Sequence, residues 1–233
     1  MNRWKASLIH LVVSVVVCAA LLLVIVNFWF PGILVSLDGG WTGLKIVTGV
    51  DVVLGPLLTL VVFRAGKPGL KFDMACIVAA QVACLTAGIW VVFNERPLAL
   101  VYAFDTFYSV TVEEFEDFGK DPEILKTIPG PNPKLILVQL PENQAETAMI
   151  MMESQLSGDP LFLMTERFVP FPDAASAVMR RMDQLRDLAV ADLGIERSET
   201  ESGGCLFARF TSAHNVGYVC YDGERRELSR FFD

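Results

Sequence analysis

Histidine is scarce in this sequence: His10 and His214 are the two among 233 residues. Neither is accompanied by a C-x-x-C pair, so the ligand spacing of a structural zinc site is missing. The sequence also lacks a G-x-S-x-G elbow, a Walker loop, an H-E-x-x-H helix and a dinucleotide-type glycine pattern. The common hydrolase, nucleotide-binding and metalloprotease readings are thereby removed, and no catalytic residue, metal or cofactor is nominated. Charge is missing too, over one long stretch. Residues 8–30 contain no Asp, Glu, Lys or Arg, with His10 at the inner edge. A bilayer core needs about 20 apolar residues in a helix. The run is too long for a signal-peptide core, and no A-x-A site follows it. Cys18 follows Val17 rather than a small residue, which argues against a lipoprotein site. A prepilin-type leader needs a Gly before the apolar run and a Glu soon after it, and neither is there.

What is present is apolar. Hydrophobic residues make up 53% of the chain, and the mean hydropathy is +0.45, high for a soluble domain. A second apolar run, about 44–63, is interrupted only by Lys45 and Asp51, and a third, about 74–93, carries Gln81 as its strongly polar residue. Basic residues orient the three spans. Arg3 and Lys5 precede the first; Arg64, Lys67 and Lys71 lie between the second and third; residues 31–43, between the first and second, hold no Lys or Arg. The N-terminus and the second loop are therefore expected in the cytoplasm, and the chain after the third span outside it. Trp29, Trp41 and Trp90 then fall at the outer interface and Trp4 at the inner one, as an aromatic belt requires. The expected fold is a membrane protein with three N-terminal transmembrane helices (1–94) and a small α+β periplasmic domain (95–233). Its first part has a net charge of +3 and its second −11. That acidic balance argues against a nucleic-acid partner.

In the second part, Pro97–Phe104, Phe107–Val112 and Lys134–Leu140 read as strands. Glu142–Leu156 reads as a helix, and so does Pro172–Leu193, with Pro172 and Asp173 suited to its first turn and Val178, Met182, Leu185 and Ala189 as its apolar stripe. Glu113–Asp121 is an acidic helix or loop, and its carboxylates fit a solvated face better than paired acid–base chemistry. Ile128–Pro133 is a Pro/Gly linker, and Gly203-Gly204 marks a turn. Cys18, Cys76 and Cys84 lie in spans and act as small apolar side chains. Cys205 and Cys220 flank a hairpin, Cys205–Phe210 and Asn215–Tyr221, with a turn at Thr211–His214. Pairing Phe210 with Asn215 sets Cys205 opposite Cys220, a separation that suits a disulfide, and an oxidising compartment permits one. The alternative is two half-buried thiols.

Asp51 is the most informative polar residue. An ionisable group in a span is costly and must face protein. Gly49 and Gly55 permit close helix approach, and Pro56 removes a backbone hydrogen bond and frees a carbonyl. Three readings stay open. Asp51 pairs internally, with Lys45, Asn27 or Gln81; or Gly49, Asp51, Gly55 and Pro56 form an intramembrane contact for a partner helix; or Asp51 relays protons.

Several segments carry a family resemblance: Arg3-Trp4-Lys5-Ala6, Phe30-Pro31-Gly32, the stretch G-V-D-V-V-L-G-P-L-L-T-L-V-V-F over residues 49–63, K-P-G-L-K-F-D over residues 67–73, and Glu95-Arg96-Pro97, with Phe168–Pro172 as a looser match. In these the sequence resembles the type IV pilin accessory protein family (TfpX/TfpZ type). The resemblance implies a bacterial inner-membrane protein without enzymatic activity. It would act with its cognate major type IV pilin as a chaperone or modulator of pilin stability, pilus assembly or retraction, in the lipid bilayer and alongside other inner-membrane assembly proteins. A pilin-modifying enzyme and a generic membrane-anchored scaffold or sensor are the alternatives.

Overall fold

The computed structural model describes residues 2–172, 177–193 and 205–232. They fall into two units. Met1–Phe28 and Gly39–Glu95 form the first, and Trp29–Asp38 with Arg96–Asp233 form the second. The loop between the first two apolar helices thus belongs with the C-terminal part of the chain.

The first unit is a three-helix bundle. Helix α1 (Arg3–Val24) runs on as a π-helical turn, Ile25–Trp29. After the short α2 (Leu34–Leu37) of the loop, the second long helix comprises α3 (Gly40–Thr48), a π-helical stretch Gly49–Leu54 and α4 (Gly55–Val62). The third is α5 (Leu70–Asn94). All three are long and apolar enough to cross a membrane, at 27, 23 and 25 residues. Their outward faces carry Val16, Val61 and Val91. This inverts the usual pattern of a water-soluble bundle, whose outward faces are polar. The π-helical stretch has a cause. Pro56 has no N–H, so the carbonyl one turn earlier loses its α-helical partner, and a wider turn takes up the mismatch.

The second unit is a mixed seven-stranded sheet flanked by helices, in the order β4-β3-β1-β2-β5-β6-β7. Strand β1 (Ala99–Ala103) pairs antiparallel with β2 (Thr106–Val110). Helix α6 (Val112–Asp117) follows, started by a capping box in which Thr111 N–H donates to Glu114 and Thr111 Oγ1 accepts from Glu114 N–H. Strand β3 (Lys134–Val138) lies parallel to β1. It leads to α7 (Gln144–Ser157), the edge strand β4 (Phe168–Pro170) and α8 (Ala177–Leu193). Strands β5 (Cys205–Thr211), β6 (Val216–Asp222) and β7 (Glu227–Phe232) complete the sheet, with β5 parallel to β2. Val101, Val110, Phe115, Ile136, Ile150 and Leu163 share one core. Leu185 of α8 packs with Phe207 and Tyr218 in another. Tyr102, Phe107, Phe171 and Tyr221 join edge to face or tilted.

Three differences from the sequence reading stand out. Strands β4 and β7 were not expected: one is three residues long and ends in proline, and the other buries Leu228 alone. The hairpin register differs by two residues. Phe210 pairs with Gly217 rather than Asn215, and the strands close at Thr211 opposite Val216. The connection is four residues long, as expected, but lies one residue further along, at 212–215, where the Ser212 hydroxyl accepts the N–H groups of His214 and Asn215. A two-residue slip keeps every side chain on its face. Cys205 and Cys220 therefore still meet, now as diagonal neighbours, and form a disulfide with Cα atoms 5.3 Å apart. The twist of the paired strands shortens that diagonal. Asp173, Gly203-Gly204 and the side chain of Ala189 lie outside the described residues.

Residues 29–38 are sewn to the sheet. Phe30, Leu34 and Leu37 are buried. The Leu37 carbonyl accepts from Asn215 Nδ2 at 2.6 Å and from Ser212 Oγ at 3.3 Å. Asp38 Oδ2 accepts from Ser109 Oγ at 2.7 Å, while Oδ1 is buried without a hydrogen-bond partner among the described residues. Burial pushes the Asp38 carboxyl up to about 6, opposed by the Ser109 hydrogen bond and by the nearby Ser212 hydroxyl and His214. Glu114 is also raised by burial, with Asp38 adding to the shift.

Two predictions follow from this unit. Cys205→Ser or Cys220→Ser opens a loop with a sequence separation of 15 and is expected to lower stability by about 3 kcal/mol, read from denaturant midpoints with and without reductant. Asp38 binds a proton more tightly folded than unfolded, so its contribution to stability falls as pH rises from about 4 to about 6. Asp38→Asn is therefore expected to stabilise the unit at pH above 6, by on the order of 2–3 kcal/mol, with the advantage vanishing by about pH 4. Melting curves of the two proteins across that range measure it.

Candidate functional site

The first unit folds around a line of polar side chains. On α1, Ser7, His10, Ser14 and Cys18 recur at helical spacing, so they share one face. Across from them, Asp51, Gly55 and Thr59 lie four residues apart along the second long helix. Ser7 Oγ donates to the carbonyl of Pro56 at 2.9 Å. His10 Nδ1 and Thr59 Oγ1 share a hydrogen bond of 2.6 Å. Asp51 is 8% exposed; its Oδ1 accepts from Gln81 Nε2 at 3.3 Å and its Oδ2 from Cys18 Sγ at 3.9 Å.

Of the internal partners considered for Asp51, the structure brings Gln81 to it. Lys45 is exposed, and Asn27 donates to the Leu23 carbonyl of its own helix. Gly55 makes the Gln81 contact possible. A Cβ at residue 55 would lie 1.8 Å from Gln81 Nε2 and 3.2 Å from His10 Nε2. Pro56 enters the line through its own carbonyl, which accepts from Ser7 Oγ; this is a different group from the carbonyl one turn earlier that its missing N–H leaves free. Gly49 does not join the close approach, since a Cβ there would meet nothing within 4 Å. The tight crossing between α3 and α5 uses other glycines. A Cβ on Gly43 would lie 2.4 Å from Val92, and one on Gly88 would lie 2.7 Å from Val47.

Beside this line the bundle is open. A groove of about 490 Å³ is walled by α1 and α5 and floored by the second long helix. Val13, Val17, Val78 and Leu85 make its walls apolar, and Ser14, Asp51, Thr59 and Gln81 place polar groups along it. Its chemistry is that of a binding surface, apolar with a few fixed hydrogen-bonding groups. Hydropathy alone passes over Ser7, Ser14, Cys18 and Thr59, because each is small or weakly polar. Their spacing of three and four residues is the signal that reveals them.

Gln81→Leu removes one of the two donors to a buried carboxylate, and is expected to destabilise the bundle in detergent by about 1–3 kcal/mol. Gly55→Ala pushes the Gln81 amide away from Asp51, so the two changes act through one contact. Their combined effect should be less than the sum of the single effects in a double-mutant cycle of thermal midpoints.

No protein-family model and no solved structure matches the chain. Three curated proteins of Dichelobacter nodosus do. The fimbrial assembly protein of serogroup E1 is 31% identical over 105 residues, 44% of this chain and 40% of that protein. The fimbrial assembly protein of serogroup I is 31% identical over 104 residues, 43% of this chain and 40% of that protein. The chain thus spans about two fifths of the length of these two relatives. The fimbrial assembly protein of serogroups C1 and C2 is 30% identical over 105 residues, 44% of this chain. The match takes in 79% of that third relative, and the chain belongs to the fimbrial assembly protein family.

Proposed function

We propose that this protein is a bacterial inner-membrane fimbrial assembly factor that binds the major fimbrial subunit, a type IV pilin, and modulates its stability, assembly or retraction. The three-helix bundle lies in the bilayer and the sheet unit in the periplasm. The observation that carries the reading is the open groove beside Asp51. A groove with apolar walls and a fixed polar floor, in a bundle that faces lipid, suits the side chains of another apolar helix. A fimbrial subunit held in the membrane before assembly offers such a helix.

The proposed topology draws support from two independent features. Arg3, Lys5, Arg64, Lys67 and Lys71 occupy the N-terminus and the second loop, on the side that the positive-inside rule assigns to the cytoplasm. The first loop, free of Lys and Arg, groups with Arg96–Asp233 in one unit, as two segments on one side of a membrane would. The reading is of a binding protein rather than an enzyme: Asp51 is held by Gln81 and Cys18, and Thr59 by His10, across helices, so these groups serve packing.

A photo-crosslinking residue at Val13 or Val78, on the groove walls, is expected to capture the major subunit in cells. Clean deletion is expected to remove surface fimbriae without changing the intact mass of the subunit. Normal fimbriation in the deletion strain overturns the reading, and a mass change in the subunit transfers the role to a modifying enzyme.

A further inference from the structure

Helix α7 is apolar on two faces and packed on one. Its inner face buries Ile150 and Ser154, and Ser154 Oγ donates to the Asp159 carbonyl at 2.5 Å. Its outer face carries Met149, Met152 and Leu156, exposed at 69%, 61% and 78%. These three are spaced i, i+3, i+7, and Ala145 and Ala148 extend the same side of the helix toward its start. Both ends of the helix are fixed. Asn143 Oδ1 accepts from Ala145 N–H at 3.0 Å, and Gly158 closes the C-terminus at φ 78°. The apolar face therefore stands on a rigid 14-residue helix. A single exposed apolar side chain is ordinary, but three aligned on one helix face mark an interaction surface.

Charge narrows what can cover it. Helix α7 contains Glu146 and Glu153 and no Lys or Arg, and Glu142 stands just ahead of it; all three carboxylates are exposed. Asp159, just beyond its end, is paired with Lys120 at 3.2 Å. A second copy of this chain would set two acidic rims against each other. A lipid surface is a poor match, because helices that lie in the interface carry Lys, Arg and Trp, which α7 lacks. Acidic flanks call for basic ones, and methionines adapt to the shape of whatever packs on them.

We propose that the Met149–Met152–Leu156 face of α7 docks an amphipathic helix of another protein, with apolar residues at matching spacing and Lys or Arg along its flanks. This helix-to-helix recognition, read by i, i+3 and i+7 anchors, is separate from the groove beside Asp51 and does not depend on the role assigned to that groove.

The test uses the full chain in phosphatidylcholine nanodiscs with methyl-labelled methionines. The probe is a synthetic helical peptide with Leu at i, i+3 and i+7 and Lys on both flanks. The Met149 and Met152 methyl signals are expected to shift on titration, while those of the buried Met164 and Met182 stay put. Binding should weaken severalfold when salt is raised from about 50 to about 500 mM, drop about tenfold for a Glu-flanked peptide, and vanish in M152E. Unmoved methyl signals at saturating peptide overturn the proposal. So does equal binding of the two peptides or by M152E. Concentration-dependent shifts without peptide would assign the face to a second copy, and quenching by a lipid-borne spin label would assign it to the bilayer; either result also overturns the proposal.

Discussion

A carboxylate surrounded by apolar helices is the constraint on which the first unit depends. Burying an acid among valines and leucines is unfavourable unless donors meet its oxygens, and the donors here come from two other helices. Gln81 reaches Asp51 across the second long helix only because residue 55 has no side chain to block its amide. Pro56 sits one position further on, widens the turns that carry Asp51, and lends its carbonyl to Ser7. The composition of the bundle follows from that demand. Small or weakly polar residues occupy the inner line, and apolar ones turn outward and to the groove walls.

How far the sequence made this legible differs between the two units. Apolar runs and loop charges marked three helices long enough to cross a membrane, because length and charge exclusion are local properties. Asp51 stood out as a lone acid in such a run, and Gly55 and Pro56 as its neighbours. That Gln81 is its partner was one option among three, since choosing requires knowing which faces of two helices meet. Gly49 illustrates the limit. It shares the composition of a close-approach residue, yet the tight crossing forms at Gly43 and Gly88 instead. In the sheet unit, β1, β2, β3 and the β5–β6 hairpin were visible as β-branched and aromatic runs. Their order was not, because the parallel pairings of β1 with β3 and β2 with β5 join segments far apart in the chain. The hairpin register turned on one serine whose hydroxyl holds the four-residue loop one position further along the chain. The disulfide tolerated the error because an even shift preserves the face.

The acidic segment after β2 shows how one residue can leave its group. Glu113, Glu116 and Asp117 are exposed, as a solvated acidic face requires. Glu114 is drawn inward by its capping bond to Thr111 and comes within electrostatic reach of Asp38. His214, exposed in the hairpin loop, also comes within electrostatic reach of the same carboxylate. Neither role has a sequence signature, because each arises from a loop that lies many residues away in the chain.

That loop also bears on how the protein can be made and recombined. The chain leaves the first unit after residue 28, contributes residues 29–38 to the second, and returns at residue 39. Asp38 precedes its seat on Ser109 by 71 residues. During synthesis at roughly 5–20 residues per second, the loop therefore waits several seconds for the strand that receives it. Neither unit is a continuous piece of sequence. A fragment beginning at residue 96 would leave the Ser109, Ser212 and Asn215 side chains without the loop atoms they bind. Exchange of the sheet unit between relatives would have to carry residues 29–38 along with it. The two units are interlaced along the chain, so neither can be cut out or replaced as one uninterrupted stretch.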